Sequence, residues 1–176
     1  RNSKTLSVFI QKVSMAITKK DIKFLEIIDT LEPTAHCLRA NIACILVKGG
    51  KVLVKATNDW HPEADCGKIG CIRNIMKVES GTRREICYGM CAEQWCLAEA
   101  AKKGISVKGS TAYVTKHPCR ICESLLTEAG IKRVVFQEGY PDVLPKFSLF
   151  KKRGVKIEQG PSTDKKSLRR LLNHSI

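Results

Sequence analysis

The stretch that decides the fold is CAEQWCLAEAAKKG, residues 91–104, together with HPCRIC, residues 117–122. The first stretch predicts a helix that begins at Cys91 and ends before Gly104. The second lies between a strand-like run and a helix-like run, and Pro118 suits the first turn of a helix, where no N–H is needed. Each stretch therefore places a cysteine at the beginning of a helix.

On either side of these stretches, helix-like and strand-like runs alternate. The predicted elements are a helix at 18–31, a hairpin of two strands at 41–57, a strand at 110–117, a helix at 119–130, a strand at 132–139 and a short helix and a last strand within 147–159. This alternation after an opening hairpin predicts an α/β layered domain with partly parallel strands. Residues 58–90, the long loop, have no sustained periodicity. A loop of this length is usually functional, or some interaction holds it in place.

The chain is strongly basic. Its 176 residues include 31 Lys and Arg against 17 Asp and Glu, a net charge of +14, which favours an anionic partner such as a nucleotide, a nucleic acid or an acidic surface. Much of the excess lies at residues 151–176, where eight basic and two acidic residues give a net +6. The apolar run IACILV (42–47) is far too short to span a bilayer. We expect a soluble, cytoplasmic protein without a membrane partner.

The length fits one domain. We expect an N-terminal helical segment at 1–34, the main domain at 35–160 and a basic C-terminal tail at 161–176. The simplest interpretation of the tail is a solvated helix or a frayed terminus, although its charge also allows contact with a nucleic acid.

Nine cysteines is a high count for a soluble, cytoplasmic protein. An odd number favours metal ligation over a disulfide framework. The spacing of Cys119 and Cys122 points both thiols at one metal, and a helix N-terminus lowers thiol pKa values, which helps the thiolate form that zinc requires. Cys91 begins the other helix in an equivalent way, so these three thiols form a candidate zinc site.

Glu93 lies two residues after Cys91 and can face the same centre without binding the metal. Three protein ligands leave a fourth tetrahedral position for water, which is typical of a catalytic rather than a structural zinc. A redox pair or a structural zinc site would also use Cys119 and Cys122. Cys91 could instead be a small buried thiol, and Glu93 a carboxylate placed for the helix dipole.

The combination of C-A-E at a helix start with P-C-x-x-C resembles H-x-E…P-C-x-x-C, the signature of zinc-dependent nucleobase deaminases. The sequence resembles in particular the deoxycytidylate (dCMP) deaminase branch of the cytidine deaminase superfamily, over residues 35–142. The segments that carry this resemblance are HCLRANIACILVKGGKVLVKATND (36–59), DCGKIGCIRN (65–74), SGTRREICYGMCAEQ (80–94), GSTAYVTKHPCRIC (109–122) and AGIKRVVFQEGYPD (129–142).

The resemblance implies a three-layer α/β/α fold with a five-stranded mixed sheet, in a protein that is usually a homo-oligomer. It implies that zinc activates a water molecule for attack on C4 of cytosine, and that Glu93 moves protons to N3 and then to the leaving amino group. It also implies that Asn58 contacts the pyrimidine and that Tyr140 helps to close the nucleotide pocket. The backbone N–H of Ala92 would hold the pyrimidine carbonyl.

One departure from the family pattern is Cys91, where this branch normally has His. A three-thiolate site is formally one unit more negative than a His-Cys-Cys site, which makes zinc a poorer Lewis acid unless a nearby positive charge compensates. Three cysteines also occur in the free-nucleoside cytidine deaminases, so the set is compatible with activity. We expect Arg120, inside the CxxC motif, to supply the compensating charge. The weaker candidates are Arg83, Arg84 and Lys116.

Members of this branch often carry a second, structural zinc held by Cys and His residues of the long loop. Cys66, Cys71 and Cys87 fall at matching places, and Cys37 would complete a closed four-thiolate site. Such a site would explain how the long loop stays ordered. Separate buried thiols are the other interpretation. The alternatives to Cys37 as the fourth ligand are His36 and His61.

The leading hypothesis is zinc-dependent hydrolytic deamination of a cytosine nucleotide, with dCMP to dUMP plus ammonia as the first candidate. The positive charge suits a phosphorylated substrate, and the candidates for binding its phosphate are Arg39, Arg83, Arg84 and Lys102. Deaminases of dCTP, of free cytidine or of a base in RNA also fit. A catalytically silent zinc protein that binds nucleotide or nucleic acid is a hypothesis of a different class. Glu93 argues against it, because a purely structural site does not need this carboxylate.

Overall fold

The structure is a computed structural model that describes residues 17–139 and 148–161. The strands in this part of the chain are β1 (Ala43–Lys48), β2 (Lys51–Thr57), β3 (Asp59–Trp60), β4 (Gly89–Met90), β5 (Thr111–Lys116), β6 (Arg133–Glu138) and β7 (Lys156–Gln159). The helices are α1 (Lys19–Leu31), α2 (Cys66–Ile69), α3 (Ile72–Ile75), α4 (Ala92–Lys102), α5 (Arg120–Glu128) and α6 (Leu149–Lys152). Short 3-10 helices lie at Glu32–Thr34, Pro62–Ala64 and Arg84–Ile86.

The main sheet has five strands in the order β2-β1-β5-β6-β7. Strand β1 runs antiparallel to both of its neighbours, whereas β5, β6 and β7 run parallel to one another. The antiparallel part begins with the hairpin, whose turn residues Gly49 and Gly50 have φ values of 59° and 76°, a region that glycine adopts readily. The parallel part needs crossovers, which α5 and α6 provide. The predicted five-stranded mixed sheet is confirmed.

Strand β1 is buried on both faces of the sheet, so its side chains divide between two core clusters. Cys44 packs in one cluster with Cys96 of α4. The next residue, Ile45, packs in the other cluster with Leu25 and Ile28 of α1. Because alternate residues of a strand face opposite sides of the sheet, helices cover both faces. The predicted three-layer α/β/α arrangement is confirmed.

A buried polar network fixes α1 to the sheet. The hydroxyl of Thr18 accepts a hydrogen bond from the backbone N–H of Asp21 over 3.2 Å and so caps the helix. The carboxylate of Asp21 also accepts hydrogen bonds from Tyr113 in β5, over 2.6 Å, and from Arg133 in β6, over 2.5 Å. The helix therefore forms one layer of the α/β domain, and the expected division of the chain at residue 34 stays a prediction.

The long loop contains short elements that bring its two ends together. Strands β3 and β4 pair antiparallel, with Asp59 opposite Met90 and Trp60 opposite Gly89. Their backbones approach so closely that a Cβ added at Gly89 would lie 2.8 Å from the carbonyl oxygen of Asp59. The end of the loop is therefore held beside β3, which directly follows β2, just before Cys91.

Three predicted features lie wholly or partly outside the described residues. They are residues 1–16 of the N-terminal helical segment, Tyr140 and residues 162–176 of the basic tail, so their expected roles stay predictions. Among the helices within 17–139 and 148–161, none is both long and apolar enough to cross a membrane.

Candidate active site

Three cysteine thiols converge at the beginning of α4 and α5. The Sγ atoms of Cys91, Cys119 and Cys122 all lie within 4.8 Å of one another. In a tetrahedral site with Zn–S bonds of about 2.3 Å, neighbouring sulfur atoms are about 3.8 Å apart, so only small side-chain movements separate this cluster from a zinc-binding one. Soft thiolate ligands suit zinc, and three of them leave a fourth position open.

The two helix N-termini explain this convergence. Cys91 is the N-cap of α4 and Cys119 is the N-cap of α5, while Cys122 lies in the first turn of α5. The side-chain oxygen of Gln94 accepts a hydrogen bond from the backbone N–H of Cys91 over 2.8 Å and fixes the start of α4. The positive ends of both helix dipoles therefore point at the cluster and favour thiolates there.

Glu93 is the second residue of α4 and is only 3% exposed. Burial raises its pKa to about 7; the charge of Cys119 adds to the rise, and that of Arg84 opposes it. A carboxyl group whose pKa lies near neutrality can both accept and donate protons. Glu93 therefore has the surroundings of a general acid and base beside the three thiols.

The three thiols differ in acidity although they are close together. Hydrogen bonds from Cys122 and from Cys91 lower the pKa of Cys119, and the charge of Arg84 adds to this effect. The hydrogen bond with Cys119 raises the pKa of Cys91, and burial adds to this rise, whereas the hydrogen bond with Cys122 opposes it. Hydrogen bonds with Cys119 and Cys91 raise the pKa of Cys122. Cys119 is therefore the first thiolate of the cluster, and a metal that binds there releases the protons of the other two thiols.

The guanidinium that contacts the cluster belongs to Arg84. Its Nη1 donates a hydrogen bond to the Sγ of Cys91 over 2.9 Å. Arg120, by contrast, is an exposed residue at the first position of α5. Cys119 and Cys122 share one face of this helix, and Arg120 lies about 100° around the axis from Cys119. The structure therefore places Arg84, one of the weaker candidates, in contact with Cys91 and leaves Arg120 exposed, so the compensating role expected of Arg120 stays a prediction that no contact supports among the described residues.

A cavity of about 490 Å³ opens beside the cluster. Cys91 and Cys119 form part of its wall, and Asn58 and residues of the long loop form much of the rest. Its volume is in the range of small-molecule sites. The thiol cluster therefore faces a space that a nucleotide-sized ligand can enter.

Of the predicted pyrimidine contacts, Asn58 lines the cavity, whereas Ala92 directly follows the lining residue Cys91. The amide of Asn58 accepts a hydrogen bond from the N–H of Ile42 over 2.8 Å and donates one to the carbonyl of Ala40 over 2.7 Å. The second N–H of its Nδ2 is the part of this side chain that a ligand could use. Ala92 is fully buried at the first position of α4, where helix N–H groups have no partner within the helix.

The other predicted zinc ligands line the same cavity; they are Cys37, Cys66, Cys71 and Cys87. Burial raises the pKa of Cys66, and the other three thiols add to the rise, so all of them lie within electrostatic range of Cys66. Within the described ranges, however, no three of these four sulfur atoms lie within 4.8 Å of one another. His36, an alternative ligand, instead pairs with Asp59 over 2.7 Å. The structure therefore gathers the four thiols around one cavity without closing a four-thiolate site.

The predicted phosphate-binding residues divide into two pairs. Arg39 and Arg84 line the cavity. Arg83 and Lys102 are exposed and form ion pairs elsewhere. The guanidinium of Arg39 already donates a hydrogen bond to the carbonyl of Val78 over 2.8 Å, and that of Arg84 contacts the thiol cluster.

Arg73 is a cavity residue that the sequence analysis missed. It is 8% exposed and lines the cavity. Its Nη2 donates a hydrogen bond to the carbonyl of Glu79 over 3.1 Å, whereas its buried Nε has no hydrogen-bond partner among the described residues. The sequence indicated a role for Arg73 only by its position, two residues after Cys71 and inside a loop that was expected to be held in place. Among 31 basic residues, that signal is weak.

Comparison with known proteins agrees with this geometry. The family model for the cytidine and deoxycytidylate deaminase zinc-binding region matches residues 18–138. The deoxycytidylate deaminase of Schizosaccharomyces pombe is 27% identical over 140 residues, which are 79% of this chain and 43% of that protein. ComE operon protein 2 of Bacillus subtilis is 35% identical over 124 residues, which are 70% of this chain and 61% of that protein. The chain thus spans about half the length of these two relatives.

Solved structures share the fold. The dCMP deaminase from the cyanophage S-TIM5, solved in complex with dCMP and dUMP, has a TM-score of 0.65 and 23% sequence identity. The similarity covers 82% of this chain and 100% of the phage chain. Because the family model covers more than half of the sequence and includes all three clustered cysteines and Glu93, this chain belongs to the family of the cytidine and deoxycytidylate deaminase zinc-binding region.

Proposed function

We propose that this chain is a zinc-dependent hydrolytic deaminase of a cytosine nucleotide, which converts dCMP and water to dUMP and ammonia. The observation that carries the proposal is the position of Glu93, a buried carboxyl group with a raised pKa beside three converging thiols. A purely structural zinc site has no use for such a group. The deoxycytidylate deaminases among the relatives support the choice of substrate.

Zinc fits the three thiols and, when bound, activates water and stabilises developing negative charge. Glu93 accepts a proton from the attacking water and delivers it to N3 of the cytosine ring. It then carries the second proton of the water to the amino group at C4, which leaves as ammonia. The oxygen of the water stays at C4 as the new carbonyl, and the ring keeps the proton at N3.

The pyrimidine is assigned to the part of the cavity between Asn58 and the start of α4. The free N–H of the Asn58 amide and the backbone N–H of Ala92 are the donors that support this assignment. The hydrogen bond that the Asn58 amide accepts from Ile42 and the one that it donates to Ala40 hold this amide in one orientation. A fixed donor is worth more to a bound ring than a mobile one, because less conformational entropy is lost on binding.

The phosphate of the substrate is assigned to Arg73. A buried guanidinium with an unused Nε N–H carries a desolvation cost that an anion in the same cavity would offset. Glu79 engages the side chain through its backbone carbonyl, and Arg73 acts on the carboxylate of Glu85 only through its charge, so no ion pair of Arg73 is found among the described residues. This arrangement supports a phosphorylated substrate over a free nucleoside.

The experiment is an ammonia-release assay of the zinc-loaded protein with dCMP, dCTP, deoxycytidine and a cytosine-containing RNA oligomer. We expect the highest kcat/KM with dCMP. A preference for the RNA oligomer would replace the proposal with a base deaminase of RNA. No turnover of any of the four at full zinc loading would favour a silent nucleotide-binding protein.

We also propose a second, structural zinc at Cys37, Cys66, Cys71 and Cys87. Their shared cavity and their electrostatic proximity to Cys66 support it. Cys87 accepts a hydrogen bond from the N–H of Gly89 over 3.4 Å, a contact that stabilises a thiolate. Metal binding would draw the four sulfur atoms together and order the long loop.

A homo-oligomeric state and a cytoplasmic location stay predictions. Exposed apolar side chains on α2 and α3 support self-association: Ile69 is 56% exposed, and Ile75 is 64% exposed. The molar mass in solution, measured by light scattering on the full chain, tests this state. A mass of 19.6 kDa at micromolar concentration would contradict it.

A further inference from the structure

A three-thiolate zinc site has a charge problem. Zinc with Cys91, Cys119 and Cys122 as thiolates carries one formal negative charge, whereas two thiolates and a neutral imidazole leave the site neutral. Glu93, which is 3% exposed, adds a further acidic group in the same place. Unpaired charge in a buried site is expensive, so a positive group close to the sulfur atoms is required.

Arg84 is placed to meet this requirement. Its Nη1 lies 2.9 Å from the Sγ of Cys91, within hydrogen-bond distance for a sulfur acceptor. Its charge also acts on Cys119 and on Glu93. The guanidinium therefore contacts one ligand directly and stabilises negative charge on a second ligand and on the neighbouring carboxyl group.

The local backbone directs Arg84 towards the cluster. Arg83 has a left-handed conformation, with φ at 46°, and the 3-10 helix Arg84–Ile86 begins directly after it. This change of direction separates the two adjacent arginines. Arg83 is exposed and pairs with Glu85 over 2.7 Å, whereas Arg84 is partly buried against the thiol.

Another cation of the cavity wall has a different partner. Lys116 lines the cavity and pairs with Glu138 over 3.4 Å. A lysine ammonium would in any case act as a point charge, whereas the planar guanidinium of Arg84 can donate to a sulfur atom and hold its charge over a second acceptor at the same time.

We propose that Arg84 is a positioning residue that holds the Cys91 thiolate and cancels the extra negative charge of the three-cysteine ligand set, and so makes this set competent to bind zinc. The proposal deepens the proposed function and rests on its zinc site, but not on its substrate. Removal of groups that support metal ligands typically weakens metal binding by about 10- to 100-fold.

The first experiment measures zinc affinity by competition with a chromogenic chelator. We expect Arg84→Ala to weaken zinc binding at least about tenfold, Arg84→Gln to weaken it nearly as much, and Arg84→Lys to retain part of the affinity. Arg83→Ala and Arg120→Ala remove the same charge from neighbouring positions and should leave zinc affinity unchanged. If Arg84→Gln binds zinc as tightly as the unsubstituted protein, the charge of Arg84 is not required and the proposal is overturned.

The second experiment repeats Arg84→Ala in the Cys91→His background. A histidine ligand removes the extra negative charge, so the loss of zinc affinity caused by Arg84→Ala should shrink to less than about threefold. An equal loss in both backgrounds would mean that Arg84 is merely structural and would overturn the proposal. If Cys91→His does not fold, the ranking of the Lys, Gln and Ala variants at position 84 decides the question, with circular dichroism as the check on folding.

The two proposals can fail separately. If the unsubstituted protein deaminates no cytosine nucleotide but Arg84→Ala still weakens zinc binding, the proposed function fails and the role of Arg84 stands. If dCMP is deaminated and zinc affinity does not depend on Arg84, the proposed function stands and the role of Arg84 is overturned.

Discussion

The hydroxyl of Tyr113, on the central strand β5, donates a hydrogen bond to the buried carboxylate of Asp21, on α1, over 2.6 Å. Arg133 of β6 donates to the same carboxylate over 2.5 Å and 3.1 Å. This network lies on the face of the sheet opposite α4 and α5. It joins α1 to β5, which leads into the CxxC motif, and to β6, which follows α5, and thus stabilises the scaffold of the site.

Asp21→Asn is expected to destabilise the protein by about 3 kcal/mol, because it leaves the partly buried charge of Arg133 without one of its two carboxylate partners. Urea unfolding followed by circular dichroism measures the change. The matched control is Glu128→Gln, which removes a carboxylate from an exposed pair with Arg153 and should change stability by less than about 0.5 kcal/mol. Equal effects of the two substitutions would contradict a special role for the buried network.

The stability that Asp21 contributes should depend on pH. Burial acts to raise the pKa of Asp21, but hydrogen bonds from Arg133, Thr18 and Tyr113 outweigh it and hold this pKa well below its usual range. A carboxyl group with a lowered folded-state pKa stabilises the fold above its unfolded pKa of about 3.9 and loses this contribution as the pH falls. The difference in unfolding free energy between the unsubstituted protein and Asp21→Asn should therefore be constant above about pH 5 and narrow towards pH 3. A difference in unfolding free energy that grows as the pH falls would contradict a lowered pKa of Asp21.

Glu93→Gln should abolish proton transfer while it preserves the zinc site. We expect kcat/KM for dCMP to fall by about 10²- to 10⁴-fold, with zinc content unchanged, because Glu93 is not among the three clustered ligands. Glu99→Gln, on the same helix, removes a partly exposed carboxylate paired with Lys102 and serves as the control. Activity retained by Glu93→Gln would exclude Glu93 as the acid and base.

Arg73→Gln should impair activity on the nucleotide dCMP but not on the nucleoside deoxycytidine. Loss of a charge-assisted hydrogen bond costs about 1.5 to 3 kcal/mol, so KM for dCMP should rise by about 10- to 100-fold, while kcat/KM for deoxycytidine stays unchanged. The nucleoside is thus an internal control for a correctly folded site. An equal loss of kcat/KM with dCMP and with deoxycytidine would mean that Arg73 does not bind the phosphate.

Cys71→Ser should reduce the zinc content from about two ions per chain to about one, because it removes a ligand of the proposed structural site. The melting temperature should fall, because the bound metal would stabilise the long loop. Cys96→Ser is the control, since Cys96 is buried in the core and its sulfur contacts the carbonyl of Cys44 over 3.2 Å. Equal zinc content in Cys71→Ser and in the unsubstituted protein would exclude Cys71 as a ligand.

Local sequence predicted each half of the thiol cluster, and the resemblance to a deaminase signature joined the two halves. The positions of Cys91 and Cys119 at helix starts, and the spacing between Cys119 and Cys122, concern residues only a few positions apart, which helical geometry places relative to one another. The layered fold was also accessible, because the turn at Gly49 and the alternation of helix-like and strand-like runs after it are strong signals. The burial of Glu93 follows from the same helix phase.

The sequence by itself thus identified the three thiols and Glu93 as residues of one site, and it predicted the layered fold. Only the tertiary structure decided which cations reach the site. Arg120 belongs to the CxxC motif but faces solvent, because the helix turns it away from the thiols on either side of it in sequence. Arg84 and Arg73 reach the cavity from the long loop, where no periodicity links a residue number to a direction, and where the backbone turn at Arg83 and the pairing of β3 with β4 set the path of the chain.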